Sequence, residues 1–187
     1  MSHGINRESA LALLQQHIVG PSLLKHCLAT EAVMRRLAVH FGEDQEKWGL
    51  AGLLHDLDAE SHPDLAEHTH HTVELLRGRG VEEDIVEAIR LHNEQAHDER
   101  RATRLQHALA AGETITGLII ATALVYPDRK LASVKPKSVR KRMKEKQFAA
   151  GANREIIMEC EQMGMSIADF CDLCLGAMQE ISDELEL

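Results

Sequence analysis

A chain of 187 residues, 44% apolar and only 3% aromatic, is long enough for one domain with a substantial core. Its net charge of −9 argues against general nucleic-acid binding, and four cysteines (Cys27, Cys160, Cys171, Cys174) do not make a disulfide scaffold. The longest apolar run, Leu118 to Val125, falls short of the roughly 20 residues a bilayer needs, and "MSHGINRESALALLQQH" lacks the features of a signal peptide, so the expected location is cytoplasmic without a membrane partner.

The apolar period is helical nearly throughout. "INRESALALLQQHIV" places Ile5, Leu11, Leu14 and Ile18 at helical spacing. "GPSLLKHCLATEAVMRRLAVHFG" opens on Pro21 and closes on Gly42, the expected asymmetry of helix ends, with His26 beside its apolar stripe. "EDQEKWGLAGLLHD" predicts a third helix, residues 59–67 a loop, and "HTHHTVELLRGRG" and "EEDIVEAIRLHNE" two more helices parted near Gly80. "ERRATRLQHALAAGETITGLIIATALVYP" reads as one long helix carrying Glu113, with Gly117 one turn on as either a close-approach or a tolerated glycine. After "DRKLASVKP" come a basic helix ending at Gly151, a helix over 153–164 capped by Asn153 and Gly164, and a last helix over 166–185 capped by Ser166. The expected fold is all-α, about nine helices, with a core over residues 1–127 and a C-terminal helical extension over 128–187 packed on the same domain.

Twelve histidines stand out, seven of them between His55 and His97. "AGLLHDLDAE" ends an apolar helix in a His and two carboxylates, groups that lose hydration on burial unless hydrogen bonds or a metal ion repay it. His26, the pair His55–Asp56, His68, His92 and Glu113 each sit on or at the end of a different predicted helix, which is how helical bundles build metal sites. His70 and His71 compete with His68. His62, His97 and His107 read as surface or supporting residues, and His3, His17 and His40 as background. The "CDLC" at Cys171–Cys174 has no second pair and reads as core. Arg129 to Lys146 holds nine of the 21 lysines and arginines and one acid, Glu145. Such a run is usually a solvated helix face, although Lys135, Lys137 or Arg140 could fold back onto a substrate phosphate. With so few aromatics to stack bases, nucleic acid is not expected as its partner.

A His, then "HD" some 30 residues on, then isolated His residues and a late acid on a long helix resembles the HD-domain (HDIG-like) metal-dependent phosphohydrolases, from about His26 to Val125. "VEEDIVEAIRLHNE", "ETITGLIIATALV" and "KSVRKRMKEKQFAAGANREII" are similar to one bacterial subgroup and carry the resemblance over most of the chain. The resemblance implies a first metal position on His26, His55, Asp56 and Glu113, the last a Glu where the family usually has Asp. It implies a second on His68 and His92, with Asp56 bridging. It also implies one or two divalent ions (Mn, Fe, Co, Ni, Zn or Mg) and hydrolysis of a phosphomonoester or phosphodiester in a small phosphorylated substrate, nucleotides included. Asp56 and Asp58 are the expected catalytic carboxylates, Asp58 either orienting a ligand or accepting a proton from water. Loops 58–67 and 92–101 are expected to line the substrate pocket. The Glu113 departure leaves open a non-catalytic regulatory scaffold binding metal or nucleotide, and the ligand chemistry also suits a di-iron oxygenase. A homodimer through a face such as that of the last helix is a further expectation.

Overall fold

The computed structural model describes residues 3–187, and among these it has ten α-helices, three short 3-10 turns and no strand. The helices are α1 (Arg7–His17), α2 (Pro21–Phe41), α3 (Gln45–Leu54), α4 (His70–Gly78), α5 (Glu83–His92), α6 (Arg104–Leu124), α7 (Pro136–Met143), α8 (Arg154–Ile157), α9 (Ile167–Glu180) and α10 (Ser182–Leu185). Their ends follow local chemistry. Asn6 accepts the Ser9 amide at 2.8 Å, Asp44 accepts those of Glu46 and Lys47, and Thr103 with Gln106 forms a reciprocal capping box. Each such cap is worth about 1 kcal/mol. Gly42 ends α2 in the left-handed region at φ 69°, where its amide reaches the carbonyls of Ala38 and Val39.

Two 21-residue helices, α2 and α6, pack on each other at the centre. Helix α3 lies along α2, α5 along α6, and α4 along α5. The apolar run Leu118–Val125 is thus the second half of a helix long and apolar enough to cross a membrane, but two thirds of its most apolar stretch is buried among neighbouring helices. Past residue 127, α9 packs on α2 and the 3-10 turn Met158–Met163 packs on α6. The close-approach glycine is Gly52 rather than Gly117. A Cβ on Gly52 would lie 2.8 Å from the Thr30 carbonyl oxygen of α2, whereas one on Gly117 would meet nothing within 4 Å. Gly52 therefore fixes how near the end of α3, and with it His55, comes to α2.

Three predicted helices are shorter than expected. The basic helix stops at Met143 and turns over residues 144–152, because Arg154 draws the carbonyls of Arg142, Glu145, Phe148, Ala149 and Ala152 onto its guanidinium. Two of those carbonyls would otherwise have continued the helix. The long helix begins at Arg104, since the capping box fixes its start and leaves Arg101 outside it. The last one breaks at Ile181 into α9 and α10.

Candidate metal centre

Six side chains from five parts of the fold converge between α2, α3, α5 and α6. His26 comes from the first half of α2, His55 and Asp56 from the end of α3, His68 from the turn before α4, His92 from the last residue of α5, and Glu113 from the middle of α6. Asp56 lies at the middle of the group. Its Oδ2 is 3.4 Å from His55 Nε2 and 3.6 Å from His26 Nε2, while its Oδ1 is 3.2 Å from His68 Nε2 and 3.5 Å from His92 Nε2. Glu113 Oε2 closes the first group at 3.9 Å from His26 Nε2. One carboxylate thus presents each oxygen to a different histidine pair.

The other ring nitrogen of each histidine is committed. His55 Nδ1 donates to the Gly52 carbonyl at 2.8 Å, and His92 Nδ1 to that of Ile89 at 2.7 Å. His68 Nδ1 donates to Asp58 at 2.7 Å. His26 Nδ1 donates to Thr116 Oγ1 at 3.0 Å, because that hydroxyl spends its own hydrogen on the Glu113 carbonyl. Four Nε2 atoms are left as acceptors and face each other in pairs, His26 against His55 at 3.1 Å and His68 against His92 at 3.2 Å. Two imidazole lone pairs so close repel unless a cation or a proton lies between them. The donor set therefore fits divalent metal: ligand atoms of His26, His55 and Glu113 lie close enough together to share an ion, and so do those of His55, Asp56 and His92.

The electrostatics agree. Burial opposes charge on Asp56, but His55, His68 and His92 hold it well below the usual carboxylate range. Burial, with His55 nearby, pushes His26 down to about 4, and burial also lowers His92. Burial works against charge on His68 as well, yet Asp56 and Asp58 carry it up to about 9, and Asp56 with Glu113 similarly raises His55. Burial lifts Glu113 to about 7.

A pH dependence follows from the sign of these shifts. The raised pKa of His68 stabilises the metal-free fold fully below its ordinary value of 6.5, and that contribution is lost as pH rises through about 9. The raised pKa of Glu113 contributes below 4.5 and is lost through about 7. A divalent ion held by these side chains would compete with the protons and bind better as they leave. The rise in melting temperature caused by added Mn²⁺ is expected to grow between about pH 6 and pH 8.5. An increment that shrinks over that window contradicts the exchange of proton for metal.

Asp58 is fully buried and turned away from the group. Beyond His68 it accepts the amides of Thr69 and Thr72, both at 3.0 Å, and although burial opposes its charge, these donors bring it down to about 2. Both oxygens are engaged with donors, so proton acceptance from water does not suit this geometry, and its contact is with the back of His68. Orienting residues of this kind typically affect metal affinity by 10–100-fold, about the range expected for Asp58→Asn. Isothermal titration should show one of two ions weakened by that factor and the other held. Two unchanged ions would remove the orienting role.

Neither His70 nor His71 faces Asp56. Both are exposed, His70 beside His97 and His71 stacked near His62. His107 pairs with Glu159 at 2.7 Å and His97 with the Thr69 hydroxyl at 2.9 Å. His3 is not background, since it is buried and bridges Glu82 and Asp44. All four cysteines are free and buried, and burial pushes the Cys171 thiol up to about 12. Lys135, Lys137 and Arg140 do not fold back onto the centre: Arg140 pairs with Asp172 of α9 at 3.0 Å, and Lys137 and Arg140 line a separate cavity. Lys135 precedes α7, its amide bonded to the Tyr126 hydroxyl.

A cavity of about 330 Å³ opens over Asp56, His68, His92 and Glu113, walled by Ala59, His62, Pro63 and Leu65 and by Asn93 and Gln95, within both loops expected to line it. A larger one of about 860 Å³ shares Gln95, Glu113 and Ile156 with it and extends past His26 to Lys146 and residues 149–155. Sequence reading missed this outer wall, because the basic segment was taken as helix. It also missed Arg101, whose buried guanidinium donates to the carbonyls of Leu91 and His92 and pairs with Glu159. A lone buried arginine in a polar run gives no periodic signal.

The profile of the HD domain matches residues 23–124, more than half of the chain and the segment that carries all six converging side chains. The chain belongs to the HD-domain family, whose members are mostly metal-dependent hydrolases. Comparison with curated proteins and with solved structures gives no match.

Proposed function

We propose that this protein is a two-metal hydrolase of phosphate esters. The observation that carries the reading is the division of Asp56 between two histidine pairs whose bare Nε2 atoms face each other. Divalent ions held there would supply an acidified water and offset charge on the phosphoryl oxygens. The chain's own residues do the rest. His26, His55, Asp56 and Glu113 hold one position, and Asp56, His68 and His92 hold the other. Asp58 fixes His68 from behind, as Gly52, Ile89 and Thr116 fix the other three rings. Gln95, at the junction of the two cavities, offers its amide to a phosphoryl oxygen, and the wall of Pro63, Leu65 and Ile156 limits water on the other side.

Phosphate release from a panel of phosphomonoesters and phosphodiesters, measured with added Mn²⁺ or Mg²⁺ and again after chelation, tests the proposal. Turnover of at least one substrate, abolished by chelation and by His55→Ala, is expected. No release from any member, or release indifferent to chelator, counts against it. An iron-coloured protein that consumes oxygen instead would favour an oxygenase on the same side chains.

A further inference from the structure

The outer cavity has chemistry that the metal centre does not use. Its floor is shared with the centre through His26, Glu113 and Gln95, and its far wall is Lys146 with Ala149, Ala150, Gly151, Ala152 and Arg154. Of the neighbouring cations, Lys141 and Arg142 both pair with Glu145, and Arg140 with Asp172. Lys146 is exposed on the cavity and, among the described residues, meets no carboxylate. Arg154 meets none either. Its guanidinium is spent on backbone carbonyls, including Ala149 at 2.8 Å and Glu145 at 3.2 Å, which stabilise its charge without adding a full negative charge to the wall. Those contacts gather the carbonyls of the 142–152 segment on one side and hold Ala149 at φ 46°. The amides of Ala149, Ala150 and Gly151 make no hydrogen bond within the protein, while those of Phe148 and Ala152 do. Glu155, exposed, is the carboxylate on this outer wall. Apart from histidine, no aromatic ring lines either cavity.

One unpaired cation, Lys146, a guanidinium without a carboxylate, Arg154, and a run of free amides beside a phosphoryl-transfer centre suit a second anionic group on the same molecule. We propose that the outer cavity receives a second phosphate of the substrate on Lys146 and the 149–151 amides, within the field of Arg154. The substrate class is then a molecule phosphorylated at two places, one phosphate at the metal centre and the other here, with no base-stacking partner required. This inference rests on the phosphohydrolase reading above.

The test uses Mn²⁺-loaded full-length protein and non-hydrolysable probes: methylphosphonate, and α,ω-alkane bisphosphonates with linkers of one, three and five carbons. Titration calorimetry should find at least one bisphosphonate bound about tenfold or more tightly than methylphosphonate. Lys146→Ala should remove that gain, and Lys146→Arg, which keeps the charge, should retain most of it. If methylphosphonate binds but no bisphosphonate gains, or if the gain survives Lys146→Ala, the subsite is refuted while the hydrolase reading stands. If the metal-loaded protein binds no phosphonate at all, both are refuted.

Discussion

Asp56→Asn will remove both ions at once and lower phosphate release by about a thousandfold or more. The two oxygens of Asp56 face both histidine pairs, one oxygen to each. An amide keeps the size of the side chain but gives up the charge and replaces one acceptor oxygen with a donor nitrogen. That nitrogen would point at one pair of bare Nε2 atoms, where it can donate a hydrogen bond and cannot ligate a metal. The variant is expected to fold, because the carboxylate's partners are the histidines themselves and the backbone bond from the Ala59 amide to the Asp56 carbonyl does not involve the side chain. Steady-state rates beside a circular dichroism melt check both halves. A folded Asp56→Asn protein with wild-type turnover and metal content contradicts the bridging role.

Glu159→Ala will cost stability on the order of 3–5 kcal/mol, the usual result of removing one partner from a buried ion pair. Arg101 is 2% exposed and meets Glu159 at 2.5 and 2.8 Å, with His107 on the same carboxylate at 2.7 Å. Without Glu159, the one carboxylate left to Arg101 is Glu94, at 3.3 Å, a group 39% exposed. For a chain of this length the melting temperature should fall by roughly 10 °C. The loss should reach the metal centre too, since Arg101 also donates to the carbonyl of Leu91 at 2.7 Å and of His92 at 3.2 Å. These bonds terminate α5 at the residue that points into the second histidine pair. Glu159 lies in the 3-10 turn packed on α6, so this ion pair ties the C-terminal segment to the backbone of His92 at the end of α5. A change in melting temperature below about 2 °C would mean that the pair behaves as a surface bridge.

The helical fold was legible because hydrophobic period and capping residues agree: Pro21, Gly42, Asn153 and Ser166 all lie at helix ends. The histidines and carboxylates that the fold gathers were legible from their spacing over separate helices and from the resemblance. Which nitrogen each ring presents was not, since this depends on carbonyls such as those of Gly52 and Ile89 that any residue supplies. Asp58 looked like part of the reacting group because it is two residues from Asp56, but the turn after α3 points it at the amides of Thr69 and Thr72. The basic segment misled for a different reason. Its composition is helical, and only the long-range demand of Arg154 for carbonyls unwinds it after Met143. That unwinding takes Lys146 to the cavity and leaves Lys137 and Arg140 on another face.

Metal content of the untagged protein, determined by elemental analysis beside a His55→Ala/Asp56→Ala variant, tests the two-ion centre most directly. The account predicts two divalent transition-metal ions per chain in the wild type, after reconstitution if needed, and neither bound in the variant. A wild type that takes up no ion from Mn²⁺, Fe²⁺, Co²⁺, Ni²⁺ or Zn²⁺, or a variant that holds as much metal as the wild type, would contradict it.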